Sequence, residues 1–207
     1  MKFNWDNIVF QMLGKLVDCV WVSILWVICC IPVFTIGAST TALYYTVHKS
    51  IRGDRGYTTR TFFGAFRDNF KAATLPYLIW LAVMIILGCD AYITYQVLKT
   101  GSMKGAFFYF FLIMIAVAIM WSAFLFPYIA RFENGIFATL RNALLLAAAH
   151  IPSTIMIVGL SVGSLILTLF TSRSFVIASI IWVFFGFAVL AYVQAFLLCR
   201  IFEKYEK

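Results

Sequence analysis

The stretch TLPYLIWLAVMIILGCDAYITYQVL, residues 74–98, decides the fold class. It exceeds the roughly 20 apolar residues that an α-helix needs to cross a bilayer, and Asp90 is its one charged residue. Its apolar residues follow one another without the alternation that is typical of a membrane β-strand. The sequence therefore predicts a transmembrane α-helix over these residues.

The rest of the 207-residue chain has the same character, with 64% hydrophobic and only 12% charged residues. Soluble domains carry about 25% charged residues, so this composition excludes a soluble globular protein. It also excludes a disordered chain and a disulfide scaffold. Four further segments are apolar enough to cross a bilayer: 19–36, 106–130, 151–171 and 175–199. The prediction is an all-α, polytopic transmembrane helix bundle of about five spans, forming a single domain over residues 1–207.

The basic residues are distributed unevenly between the two sides of these spans. Most of the 16 Lys and Arg residues fall in the connections 37–73 and 131–150 or after residue 199, all on one side. By the positive-inside rule that side is cytoplasmic, which places the N-terminus outside and the C-terminus inside. If segment 19–36 only enters the membrane and returns, the N-terminus moves inside. Because the charges lie between apolar segments, the net charge of +8 does not indicate nucleic-acid binding.

The connection after the first span contains an amphipathic pattern. Four phenylalanines fall within one sector of a helical wheel, and basic residues cluster opposite them. We expect such a helix to lie in the membrane interface on the cytoplasmic side. A weaker stripe of the same kind follows the third span. The residues predicted to form this interface, or to contact a partner there, are Arg60, Phe62, Phe63, Phe66, Arg67, Asn69, Phe70, Lys71, Arg131, Arg141 and Asn142.

The two halves of the chain follow a similar order. Each begins with an amphipathic segment, continues through a proline, a span, a short outer turn and a second span, and ends in RFE or RIFE. This order predicts a pseudo-repeat of 58–133 and 134–205 about an axis along the membrane normal. Coincidence is the alternative, since proline at the start of a span and arginine at its inner end are both common.

Another pattern lies at the end of the first span, PVFTIGASTTALY over residues 32–44. Its proline and glycine end or bend a helix, and the small residues beyond them permit close approach to a neighbouring helix. A tight helix–helix corner is favoured here over a ligand site. The corner residues are Pro32, Thr35, Gly37, Ala38, Ser39, Thr40 and Thr41.

This stretch resembles the hallmark segment of the YesL-like bacterial integral membrane proteins, a family of unknown function. Further matches within 62–70, 126–132 and 142–152 extend the resemblance over nearly the whole chain. The resemblance implies a multi-pass protein of a bacterial plasma membrane. Since such genes stand beside those of carbohydrate-uptake ABC transporters, it also implies a role in sugar import. The implied partners are the lipid bilayer and the permease or ATPase subunits, and direct contact with sugar is left open.

Asp90 is the clearest polar feature inside a span, because an ionisable group there is costly unless it is paired or hydrated. Tyr92, Tyr95 and Gln96 follow it in the outer third of the same span. One interpretation is a contact for a substrate or cation in a cavity open to the outside. The favoured alternative is a buried carboxylate that is hydrogen-bonded to a neighbouring span.

The chain contains no nucleophile elbow, Walker loop, HExxH motif or dinucleotide-binding glycine fingerprint. His48 and His150 each lack a second ligand at helical spacing, so neither a metal site, nor a cofactor, nor enzymatic activity is predicted. Three hypotheses follow, of which an accessory or regulatory subunit of a carbohydrate ABC importer comes first. The second is a small independent transporter or channel, and an intramembrane enzyme has the least support.

Overall fold

The computed structural model describes residues 8–51, 58–99, 105–170 and 186–202, together with residues 182 and 204. Within these residues the chain is all-α, with eight α-helices and no strand. The helices are α1 (Ile8–Cys29), α2 (Ile36–Ile51), α3 (Thr58–Asp68), α4 (Phe70–Lys99), α5 (Ala106–Ile129), α6 (Ile136–Ala149), α7 (Ile151–Phe170) and α8 (Phe187–Phe202). A short 3-10 turn, Val33–Thr35, precedes α2.

Two of the described helices, α4 and α5, are long and apolar enough to cross a membrane. They coincide with the predicted spans 74–98 and 106–130, and they form an antiparallel pair. Near the middle of the pair, Trp80 Nε1 donates to the carbonyl oxygen of Ala118 at 2.8 Å. The uninterrupted apolar runs of the sequence correspond to these two helices.

The prediction of about five spans is wrong for the described residues. Besides α4 and α5, a third candidate arises only if α6 and the first part of α7 count as one span bent by 99°. Helix α7 begins where the predicted fourth span does, but it leaves α6 at nearly a right angle. The predicted fifth span, 175–199, lies largely outside the described residues. Its described part belongs to α8, which has 16 residues and is too short to qualify.

The first predicted span, 19–36, is wrong because the helix breaks inside it. Helix α1 ends at Cys29, and the chain turns before α2 begins. Asp18 in α1 accepts a 2.7 Å hydrogen bond from Thr58 at the start of α3. Helix α2 ends at Ile51, a few residues before α3 begins in the sequence. Helices α1 and α2 therefore form a hairpin that returns to α3. Hydropathy stays high through Pro32, so it gives no sign of the break. The proline interrupts the helix because its ring is bulky and it has no N–H to donate.

Helix α2 lies at the centre of the described bundle and contacts α1, α3, α4, α5 and α8. Two groups of buried side chains meet along it. One joins α2 to α4–α8 around Phe124 and Leu125, and the other joins α2 to α1, α3 and α8 around Val22 and Phe62. The buried residues of α2 itself are mostly small: Gly37, Ala38, Ser39, Thr41, Ala42, Leu43, Thr46 and Val47.

The α4–α5 pair has two ends, which we call the α3 end and the Lys99 end. At the α3 end α4 begins, and α5 and α8 finish close together, since the rings of Phe132 and Phe202 are 5.6 Å apart. At the Lys99 end α4 finishes and α5 begins. Between the ends, large apolar side chains are exposed, including Ile85, Ile86, Phe110 and Ile113. Such a surface suits helices that face lipid.

Candidate functional site

The turn of the α1–α2 hairpin is held by two hydroxyl groups that bind one carbonyl oxygen. Thr35 Oγ1 donates to the carbonyl oxygen of Cys29 at 2.6 Å, and Ser39 Oγ donates to the same oxygen at 3.0 Å. The last carbonyl groups of a helix have no hydrogen-bond donor within the helix. The Thr35 and Ser39 hydroxyls supply the missing donors here. Trp26 Nε1 on α1 adds a 3.3 Å bond to Thr40 Oγ1 on α2. The predicted corner residues thus lie at the closure of the hairpin.

Gly37 is a point of very close approach between α2 and α4. A Cβ atom at this position would lie 2.5 Å from Tyr77 Cβ and 2.8 Å from the carbonyl oxygen of Ala73. Any side chain would therefore force one helix to move, because protein interiors are already close-packed. Of the neighbouring corner residues, Pro32 is exposed and Ala38, Ser39 and Thr41 are fully buried.

The four polar residues predicted within the second span do not converge. Tyr92 and Tyr95 are 64% and 40% exposed, Gln96 is exposed, and Asp90 is half-buried. The main-chain carbonyl of Asp90 accepts a hydrogen bond from Thr94 at 2.6 Å. Within the described residues no side chain donates to its carboxylate. Both interpretations of Asp90 stay predictions.

The residues predicted for the cytoplasmic interface divide into two groups at the α3 end. Phe62 is fully buried against α1 and α2. Phe66, Asn69, Phe70, Arg131 and Asn142 are half-buried. Exposed side chains are Arg60, Phe63, Arg67, Lys71 and Arg141, and Phe137 at the start of α6 is 85% exposed. We call these six residues the exposed basic surface. Much of the aromatic face of α3 thus packs on the protein itself.

A buried polar network joins α2, α7 and α8, and the sequence does not reveal it. Gln194 accepts a hydrogen bond from the Tyr44 hydroxyl, and its Nε2 donates to Ser161 Oγ at 2.7 Å and to the carbonyl oxygen of Ile157 at 3.3 Å. Gln194 stands out as a polar residue in an apolar segment. Its partners are distant in sequence, and no periodicity connects them. In apolar surroundings such bonds fix which helix faces meet.

His48, Arg131 and Cys199 meet close to this network. Cys199 Sγ lies 3.7 Å from His48 Nε2 and 3.9 Å from Arg131 Nη1. The Arg131 guanidinium also lies 5.6 Å from the centre of the Phe202 ring. His48 and Arg131 line a cavity of about 20 Å³, which has room for one water molecule. Among the residues that the structure describes, no group of three His, Cys, Asp or Glu side chains is arranged to hold a metal ion.

A cleft of about 600 Å³ opens at the α3 end, between α2, α3 and the α5–α6 connection. We call it the end cleft. Its volume is in the range of small-molecule sites. Two cationic and two anionic side chains line it, together with amides and apolar groups: Lys49, Arg60, Asp68, Glu133, Asn69, Asn134, Ala72, Ile129 and Phe132. Arg60 and Asn69 belong to the predicted interface, and the other charged residues were not predicted.

One wall of the end cleft is fixed by a buried phenol. Tyr128 is 6% exposed. Its hydroxyl oxygen accepts hydrogen bonds from Asn134 Nδ2 at 2.8 Å and from Asn142 Nδ2 at 3.0 Å. These bonds tie the α5–α6 connection to α6, so the position of Glu133 next to Asn134 is set by the fold. The predicted interface residue Asn142 therefore acts here from behind the cleft.

Residues 19–91, less than half of the chain, match a family model described as "Protein of unknown function, DUF624". The matched segment extends from α1 into α4 and includes the hairpin, the Gly37 contact and Asp90. No curated protein and no solved structure matches the chain. The match supports an uncharacterised family over these residues and does not bear on the more specific YesL-like resemblance.

Proposed function

We propose that this chain is an accessory or regulatory subunit of a carbohydrate ABC importer, which contacts the permease or ATPase subunits through the exposed basic surface. The observation that carries the proposal is the two-sided character of α3. Phe62 is buried in the bundle, while Arg60, Arg67 and Phe63 are left outside. Arginine and aromatic residues are enriched in protein–protein interfaces. The resemblance to the YesL-like proteins is what directs the proposal to sugar uptake.

The same residues support an orientation in a bacterial plasma membrane. We place the α3 end on the cytoplasmic side, where basic residues concentrate. Because Asp18 is bonded to Thr58 on α3, the start of α1 belongs on that side as well. The N-terminal part of α1 is then inside, as expected for a segment that enters the membrane and returns. Helix α7 has 20 residues, enough for about 30 Å of hydrocarbon, and we propose it as a further span.

The test is purification from the native host in mild detergent, followed by identification of the proteins that co-purify. We expect permease and ATPase subunits in stoichiometric amounts. The double variant Arg67→Glu/Lys71→Glu cancels the net positive charge of the exposed basic surface, so the purified protein should lose most of the partner. Lys99→Glu, a charge reversal at the Lys99 end, is the matched control and should keep it. A preparation free of importer subunits, from a host that expresses them, would contradict the proposal.

A small independent transporter or channel is the second candidate. The polar contacts of Gln194 and Arg131 inside the bundle favour it, because polar groups within membrane bundles often mark a path for a solute. A homo-oligomer that moves a solute across liposome membranes without any partner would support this candidate over the accessory subunit.

A further inference from the structure

The end cleft combines opposite charges at the point where the spanning helices leave the membrane. We propose that it binds the headgroup of a zwitterionic glycerophospholipid with a primary amine, that is, a phosphate joined to an ammonium group. Arg60 and Lys49 hold the phosphate, and Asp68 and Glu133 hold the ammonium. This inference goes beyond the accessory role and does not depend on the importer subunits.

The positive and negative charges of the cleft are balanced, and Arg60, Asp68 and Glu133 are available to a ligand. Two cationic and two anionic side chains line it, yet no ion pair joins Arg60, Asp68 and Glu133 to one another or to other described residues. All three are exposed, so binding a ligand does not require breaking a buried pair. A simple anion would meet repulsion from the carboxylates, and a simple cation would meet repulsion from the basic groups. A ligand that carries both charges complements the whole lining.

The position of the cleft favours a lipid over a soluble molecule with the same headgroup. Ala72 lies in the first turn of α4 and Ile129 is the last residue of α5, the two helices able to cross a membrane. Both residues line the cleft, as does Phe132. These helix ends put the cleft at the depth of lipid headgroups, and Ala72, Ile129 and Phe132 give it an apolar wall.

The carboxylates make the site selective among zwitterionic lipids. A primary ammonium has three N–H donors and forms charge-assisted hydrogen bonds with carboxylates. The quaternary ammonium of choline has no N–H donor and cannot form them. The guanidinium of Arg60 binds the phosphate of either lipid, because its planar fork matches phosphate oxygens.

The experiment is a lipid titration of the purified, delipidated full-length chain in mild detergent, followed by native mass spectrometry. The probes are phosphatidylethanolamine, phosphatidylcholine and phosphatidylglycerol with identical acyl chains. We expect phosphatidylethanolamine to bind about tenfold more tightly than phosphatidylcholine, the factor that one charge-assisted hydrogen bond supplies. The double variant Asp68→Asn/Glu133→Gln should remove this preference. Arg60→Gln should weaken the binding of both zwitterionic lipids.

Two substitutions serve as matched controls because they remove the same types of charged side chain at positions outside the cleft. Asp90→Asn removes a carboxylate from α4, and Arg67→Gln removes a guanidinium from α3, and neither should alter the preference. Equal binding of phosphatidylethanolamine and phosphatidylcholine by the unmodified chain, or a preference for phosphatidylglycerol, would overturn the proposal. This comparison needs no variant, so a variant that fails to fold does not weaken it.

A competition arm separates the lipid from its soluble headgroup. Free phosphoethanolamine is added at the concentration at which phosphatidylethanolamine saturates the protein. It should displace little of the bound lipid, because it lacks the contacts along the apolar wall. Complete displacement would show that the cleft takes a soluble ligand, and the lipid proposal would fail. Selective lipid binding without co-purified importer subunits would leave this proposal standing and remove only the accessory function.

Discussion

The molecule contains two helical hairpins that are built on opposite principles. In the α1–α2 hairpin the turn is bound by Thr35 and Ser39, and α2 is buried through small side chains. In the α4–α5 hairpin the helices are long, and large side chains such as Ile86 and Ile113 face outward. The first hairpin is specified by contacts with the protein, and the second by length and apolarity. The two hairpins of this chain are therefore specified by different features of the sequence.

The largest expected effect concerns the path of the first hairpin. In a chain without native cysteines, Val17→Cys and Lys99→Cys place thiols at exposed positions on α1 and at the Lys99 end. We expect a membrane-impermeant maleimide added to spheroplasts to label Lys99→Cys only. In permeabilised membranes the maleimide should label both variants. Labelling of Val17→Cys from outside would restore the crossing span and remove the contrast between the hairpins.

The next effect is on stability, at the contact between α2 and α4. Gly37→Ala should lower the free energy of unfolding by about 1–3 kcal/mol, the usual cost of overpacking, because the new Cβ would meet Tyr77 and Ala73. Gly88→Ala on α4 is the matched control, since a Cβ there meets no atom of the described residues within 4 Å. The apparent Tm in detergent, followed by fluorescence-detected size exclusion, measures both. Equal Tm values for the two variants would mean that α2 is not held by close packing.

A smaller loss is expected when the polar network of α2, α7 and α8 is removed. Gln194→Leu leaves Tyr44 and Ser161 without their partner, and it should cost about 1–2 kcal/mol of the free energy of unfolding. Gln96→Leu changes the same side chain at an exposed position on α4 and should alter the stability by less than about 0.5 kcal/mol. Denaturant titration of the purified variants measures the difference. A Gln96→Leu loss as large as that of Gln194→Leu would contradict the role of the network.

The smallest effect has opposite signs at two threonines of the first hairpin. Thr35→Val removes a hydrogen bond to the Cys29 carbonyl and should lower the free energy of unfolding by about 1 kcal/mol. Thr41 is fully buried, and its hydroxyl has no hydrogen-bond partner among the described residues. Thr41→Val should therefore be neutral or slightly stabilising, because it replaces an unsatisfied hydroxyl by a methyl group of similar shape. Denaturation midpoints of the pair, measured side by side, test the sign, and a destabilised Thr41→Val would reveal a hidden partner.

The sequence was sufficient to predict the α4–α5 hairpin, because an unbroken apolar run determines both the type of helix and its length. It was insufficient for the first hairpin, since hydropathy does not record the direction that the chain takes after Pro32. The small residues around Gly37 did indicate a close contact, but they did not say with which helix. The bond of Gln194 to Tyr44 lies beyond any local pattern, because it joins residues far apart in the chain. The end cleft could not be predicted for the same reason, since its charges come from three separate segments: α2, α3 and the α5–α6 connection.

The early return of the α1–α2 hairpin sets how far its turn reaches along the α4–α5 pair. Gly37, just after the hairpin turn, lies against Ala73 and Tyr77 near the beginning of α4, so the turn reaches only part of the way along the α4–α5 pair. If α4 and α5 cross a bilayer, the hairpin turn with its exposed Ile31 and Phe34 would lie within the membrane and not at its far surface.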